Sequence, residues 1–319
     1  MSQQISINKA VMPLVTNLME HAARYNIDSY TLTCGAHVID VGLLAKGSLE
    51  ASRLHAEIML GGLGSVSYGS KTIGGINLLT ADVQVDQVLI ACVASQIAGW
   101  KIPLGKVDVL GSGPARALAV DSEDHCFDYT SYRDMSDVAV LTLQTETSPT
   151  EALAEYCAEA CGVACENLYL LVHATTSLAA SVQVSARIIE QTANKMMLKN
   201  FPVESIVLAY GSCVIAPVSS DYLTSMGRIN DALLYGGVCT LHVEEEDAAI
   251  IECLPQLVTA SSKDYGRLFK DLFVEADEKF YNMDLDIHSP ARVEIINNKT
   301  GNIFSNGVLR EDLLCKSFF

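Results

Sequence analysis

Basic residues are scarce in this chain. Its 319 residues carry 21 Lys and Arg against 38 Asp and Glu, a formal net charge of −17. Nucleic-acid binding leans on cationic side chains facing the phosphates, so a nucleic-acid partner is not expected. A long apolar run is also missing. Crossing a membrane takes about 20 consecutive apolar residues; the best stretch, 88–100, is shorter, is interrupted by Ser95 and Gln96, and reads as a buried helix. No membrane partner is expected. Residues 1–12 hold no basic segment followed by an apolar core, so no secretory leader is expected. The ten cysteines are therefore read as reduced, mostly buried thiols of a cytoplasmic protein. His-Glu-x-x-His and Cys-x-x-Cys are both absent, and no metal site is expected. Cys157, Cys161 and Cys165 would share a helical face, but Gly162 interrupts it and packing is the expected role. Neither a Walker loop, a complete G-x-G-x-x-G nor a G-x-S-x-G elbow occurs.

What is present is a well-mixed apolar chain, 50% hydrophobic and 18% charged, the composition of a packed globular protein. Helical and strand patterns alternate. Helices are predicted over 6–25, 48–59, 149–161, 221–234 and 247–258. Strands are predicted over 29–34, 37–41, 107–110, 137–143, 168–173, 205–210 and 238–243, and 291–304 alternates in the same way. The expected fold is α/β, mixed α+β in detail, built as two layered domains. The polar stretch 121–137 is the natural boundary. It gives a first domain over 1–125 and a second over 126–279, with 280–319 returning to pair with the first.

One more helix is predicted over 177–195. At about 100° per residue, Gln183, Arg187, Glu190 and Asn194 form its one polar stripe. By pattern alone this stripe would face water. Read functionally, Arg187 and Glu190 are neighbours three residues apart, a carboxylate oriented by a guanidinium. Such a carboxylate can activate water once it is positioned. Two glycine segments follow strands or helices. In 111–116, glycines free backbone N–H groups to face an anion beside Ser112, Gly113 and Arg116; 61–64 could do the same, and a structural turn is the plainer reading of both. Asn230 and Asp231, within Met226-Gly227-Arg228-Ile229-Asn230-Asp231, offer donors and acceptors to an amide-rich heterocycle, or alternatively a local cap. Lys101 follows the single Trp, Trp100, itself expected in the core.

Taken in order, several segments resemble one family, the methenyltetrahydromethanopterin cyclohydrolases. They are Gly-Ala-His-Val-Ile-Asp at 35–40, the glycines at 61–64, Ser-Gln-Ile-Ala-Gly-Trp at 95–100 and Ser-Gly-Pro-Ala-Arg-Ala-Leu at 112–118. Ser-Val-Gln-Val-Ser-Ala-Arg-Ile-Ile-Glu at 181–190 and Gly-Arg-Ile-Asn-Asp at 227–231 are the most specific, followed by Tyr-Gly-Gly at 235–237 and Ser-Pro-Ala at 289–291. The resemblance departs at Ala174, Thr176, Ala180 and Ile229. It implies a homo-oligomeric enzyme, typically a homotrimer, with a two-part α/β fold around a deep cleft. Such an enzyme adds water to the methenyl carbon of 5,10-methenyltetrahydromethanopterin and gives the N5-formyl form, reversibly. It implies no metal or redox cofactor, since the pterin carries the carbon. Arg187 and Glu190 match the family's catalytic pair. Gln183, Ser112, Gly113, Arg116, Thr175, Ser177, Asn230, Asp231 and Lys101 are the expected substrate contacts. A pterin-binding relative without turnover, or a hydrolase acting on a folate-type methenyl substrate, would share the same segments.

Overall fold

The structure, a computed structural model, describes residues 4–104, 107–119, 125–279 and 282–319. Twelve strands are recognised there: β1 (Asp28–Thr31), β2 (His37–Gly42), β3 (Gly64–Ile73), β4 (Ile76–Val85), β5 (Trp100–Leu104), β6 (Val107–Ser112), β7 (Ala139–Gln144), β8 (Leu168–His173), β9 (Ile206–Val214), β10 (Val238–Val243), β11 (Arg292–Asn297) and β12 (Ile303–Gly307). They form two six-stranded mixed sheets, in the orders β1-β2-β8-β7-β6-β5 and β12-β11-β10-β9-β4-β3. The expected α/β class holds.

The first sheet belongs to a unit made of the chain up to Gly64 and Leu89–Gln183. Strands β2, β8 and β7 run parallel at its centre, and β1, β6 and β5 join antiparallel outside them. Both faces are covered. Val38, Leu141, Leu143, Leu170 and Val172 pack against Leu153, Ala154, Cys157 and Cys161 of the helix Glu151–Cys161. On the other face Ile39, Val41, Val140 and Leu171 meet Val15 and Leu18 of the helix Met12–Glu20, and Ala51, Leu54 and Ile58 of the helix Leu49–Met59. A sheet buried on both faces needs continuous apolar strands, which is why 168–173 reads as one. The helix ends follow local rules. Ser48 and Thr150 accept from the backbone N–H groups of Ala51 and Leu153, and Gly162 ends its helix in the left-handed region. Asp134 is an internal post: its Oδ2 accepts from both the backbone N and Nδ2 of Asn8, whose Oδ1 in turn accepts from Val140 N.

The second sheet belongs to a unit of Ser65–Val88 and Val184–Phe319. Ala81, Val83, Ala209, Cys213, Cys239, Leu241, Val293 and Ile295 form its buried face. The helix Ile188–Leu198 packs against β9 and β10, and the helix Tyr222–Gly236 against β9. Asp82, Ser212, Arg292 and Glu294 lie half-exposed on the opposite face.

Three expectations are corrected by this topology. Residues 125–183 belong with the first unit, because β7 and β8 pair in parallel with β2; the division does not fall near 125. The hairpin β3–β4 belongs with the second unit through the β4–β9 pairing. The C-terminal strands β11 and β12 do not return to the first sheet; β11 runs parallel to β10. The helix predicted over 88–100 is a π-helix, Leu89–Gln96, followed directly by β5.

Candidate active site

In the first unit, polar groups gather where the parallel strands end, the edge at which open α/β sheets bind ligands. After β2, the buried Asp40 carboxylate accepts four backbone N–H groups, from Gly42, Leu43, Leu44 and Ala45, at 2.6–3.1 Å. This fixes the turn that follows β2. Gly42 has no room for a side chain, since a Cβ there would lie 2.8 Å from Ser177 Cβ. Ser177 itself begins the helix Leu178–Ser185: its hydroxyl donates to Ala174 O at 2.7 Å and accepts from Ala180 N at 3.1 Å. Its role is therefore that of a helix cap.

Beside it runs a chain of polar side chains. Gln183 Nε2 donates to Gln144 Oε1 (3.2 Å), Gln144 Nε2 donates to Thr175 Oγ1 (2.9 Å), and Thr175 N donates to Glu146 Oε1 (3.0 Å). Gln183 is 2% exposed and Gln144 half-buried. Two expected residues, Gln183 and Thr175, are thus brought together. Gln144 and Glu146 were missed. The available signal was a polar residue closing the apolar run of β7.

The helix predicted over 177–195 is two helices. The first ends at Ser185, Ala186 and Arg187 turn, and the second begins at Ile188. The break puts Arg187 at the N-cap of the helix Ile188–Leu198 and Glu190 in its first turn. The helix dipole there interacts favourably with negative charge. Arg187 Nη1 lies 3.3 Å from Glu190 Oε2. Glu190 is 7% exposed, so the stripe does not simply face water. The helix start is held from several sides. A Cβ at Gly211 would lie 2.8 Å from Ile188 Cγ2, and one at Gly237 would strike the same side chain, so two bare backbones receive Ile188. Ser185 Oγ donates to Val214 O at 3.0 Å. Farther along, the fully buried Lys195 donates to the carboxylate and carbonyl oxygens of Asp286 at 2.9 and 2.7 Å. A carboxylate fixed to this degree, with a guanidinium alongside, is suited to orient and deprotonate a water molecule.

The remaining expected contacts have architectural places. Arg116 is fully buried; Nη1 donates to Val93 O and Ala94 O at 2.9 and 3.2 Å, closing the C-terminal end of the π-helix, and the guanidinium lies 5.3 Å from the Phe127 ring centroid. Gly113 N donates to Ser95 O and Ser112 Oγ to Gln96 O. The Gly113 N–H, expected to face an anion, thus donates to a carbonyl near the end of the π-helix. Asp231 is 1% exposed and accepts from Phe269 N and Ser317 Oγ; burial pushes its carboxyl up to about 7, against the opposing pull of those two hydrogen bonds. Asn230 donates to Met226 O one turn back. In the same motif Arg228 donates to Ser317 O and Phe318 O at the end of the last helix, and Gly227 admits Lys270. Lys101 lies exposed on the edge strand β5, two strands from β7. Among the described residues no group of three His, Cys, Asp or Glu is arranged to hold a metal ion, and no helix is long and apolar enough to cross a membrane.

Comparison with known proteins spans the same residues end to end. Residues 6–318 match the family described as Cyclohydrolase (MCH). The methenyltetrahydromethanopterin cyclohydrolase of Methanocaldococcus jannaschii is 38% identical over 98% of both chains. That of Methanothermobacter thermautotrophicus is 37% identical over 98% of this chain and 99% of its own. The protein of the same name from Methylobacillus flagellatus is 37% identical over 98% of this chain and 95% of its own. With the match covering both units and both halves of the broken helix, the chain belongs to the methenyltetrahydromethanopterin cyclohydrolase family.

Proposed function

We propose that this chain hydrolyses 5,10-methenyltetrahydromethanopterin to its N5-formyl form, with Glu190 as the water-activating group and Arg187 as its orienting partner. The observation that carries the assignment of roles is the Arg187–Glu190 pair: it is largely buried and stands at a rigidly seated helix start. The methenyl carbon is part of an amidinium-like cation and is already electrophilic. Glu190 accepts a proton as water attacks, and its charge complements the bound cation. The nitrogen that leaves the carbon must then be protonated. The pterin carries the carbon, and the reading assigns no role to a metal or redox group. The proposal includes a cytoplasmic homotrimer, checked by sedimentation of the purified protein. The enzymatic reading is tested by following the methenyl absorbance with wild type and Glu190→Gln. Turnover by the wild type and its loss in the folded variant support it. Full turnover by the variant overturns the role of Glu190, and faster hydrolysis of methenyl-tetrahydrofolate overturns the substrate.

A further inference from the structure

Ten cysteines are present and none is needed by the proposed chemistry. Six are buried; Cys34, Cys126, Cys165 and Cys315 are half-exposed. Two of these four meet. Cys34 lies in the tight turn between β1 and β2, closed by Leu32 N donating to Ala36 O, with Gly35 at φ +99°. The turn rests on the segment just ahead of β8: a Cβ on Gly35 would stand 3.4 Å from the Glu166 Cα, Cβ and N atoms. That contact places Cys34 beside Cys165, and the two thiols interact directly. The turn is also clamped from a third element. Glu151, in the first turn of the helix Glu151–Cys161, accepts from Thr33 N and Cys34 N, each at 2.8 Å. Because β2 and β8 are hydrogen-bonded in parallel register from His37–Tyr169 onward, the backbones on either side of the pair hold a fixed spacing.

We propose that Cys34 and Cys165 are a modification site: a vicinal dithiol that a small disulfide oxidant converts reversibly into a cystine. One thiolate attacks a sulfur of the small disulfide, forms a mixed disulfide and releases one thiol. The second protein thiol then attacks the protein-bound sulfur, expels the second small thiol and closes the Cys34–Cys165 bond. The protein pair loses two electrons and two protons, and the small disulfide is reduced to two thiols. Burial, and the neighbouring Glu151 carboxylate, push the Cys34 thiol up. The bond would join segments on the order of a hundred residues apart, which restricts the unfolded chain strongly. It also lies at the N-terminal ends of β2 and β8, opposite the edge that carries Thr175 and Gln144, so it stabilises the unit without touching those groups.

The inference does not depend on the proposed reaction, and neither does its test. The folded protein is incubated with oxidised glutathione, alkylated and digested, and its peptides are weighed. The expected product is a single cross-linked peptide pair containing Cys34 and Cys165, two hydrogens lighter and reversed by dithiothreitol, with a raised thermal midpoint in the intact protein. Cys34→Ser should stop at a glutathione adduct on Cys165 and lose the thermal gain. Cys165→Ser should give no cross-link. Separate adducts on both cysteines without a cross-link, a cross-link through Cys126 or Cys315, or no reaction at either thiol would each overturn the proposal.

Discussion

Arg187 and Glu190 are joined at 3.3 Å across a helix boundary: the guanidinium belongs to the N-cap residue and the carboxylate to the first turn. The pair is therefore held by the break in the helix as much as by its own attraction. Replacing Glu190 with Gln keeps shape and burial but removes the proton acceptor. Turnover in the methenyl-absorbance assay should fall by about a hundredfold to ten-thousandfold, with circular dichroism and the unfolding midpoint close to wild type. Arg187→Lys keeps the charge but loses the planar fork, and should lie between the two.

Much of the fold was legible where one rule dominated. Strands β8 and β10 were read with their full extents because most of their residues are apolar, and the cap Ser48 marks its helix directly. The hairpin β3–β4 was not read. Its Ser, Thr, Gly and Asn residues follow a half-exposed sheet, and that pattern resembles a loop. The apolar stretch of the π-helix has no polar face, so it carries no period to distinguish helix types. In the candidate site the local pair Arg187–Glu190 was legible, since three residues on a helix suffice. Gln144 was not, because its partners Thr175 and Gln183 lie 31 and 39 residues away in sequence. The surroundings of Asp231 were hidden for the same reason: its partners Phe269 and Ser317 are 38 and 86 residues distant.

Arg116 distinguishes a binding role from an architectural one. Arg116→Met retains most of the buried volume and leaves the π-helix carbonyls of Val93 and Ala94 without their donor. The expected cost is roughly 3 kcal/mol, seen as a lower denaturant midpoint, while KM for the methenyl substrate stays within about twofold under folding conditions. A large rise in KM with no loss of stability would return Arg116 to the substrate site.

Asp231 makes stability depend on pH. Its carboxyl is raised from 3.8 to about 7 by burial. Below 3.8 the folded and unfolded chains are both protonated. Between 3.8 and about 7 the folded form keeps a proton that the unfolded form has released. The contribution of this group is therefore fully present at the acid end and is lost as the pH rises through about 7. Asp231→Asn resembles the protonated carboxyl and should remove that slope. Urea midpoints measured across the window should converge at the acid end. Toward alkaline pH they should increasingly favour Asn, by about 1.4 kcal/mol for every pH step of one within the window. Parallel profiles for the two proteins would refute the assignment.

Gly42 and Ser177 test whether the turn after β2 and the start of the next helix are built as one piece. Gly42 has no left-handed φ to explain it; its demand is space, because a Cβ would lie 2.8 Å from Ser177 Cβ and 3.0 Å from Ser177 Oγ. Gly42→Ala must displace either the Asp40 turn or the capping hydroxyl, and overpacking of this kind costs roughly 1–3 kcal/mol. Ser177→Gly removes the two atoms nearest to the new methyl, at a cost of only a few tenths of a kcal/mol for the cap. The double variant should therefore be more stable than the sum of the single effects, with a coupling of about 1 kcal/mol or more. If the clash alone governs, the midpoint should recover in the double variant, since the helix start regains its seat. Strict additivity in chemical denaturation would show that the two segments relax independently.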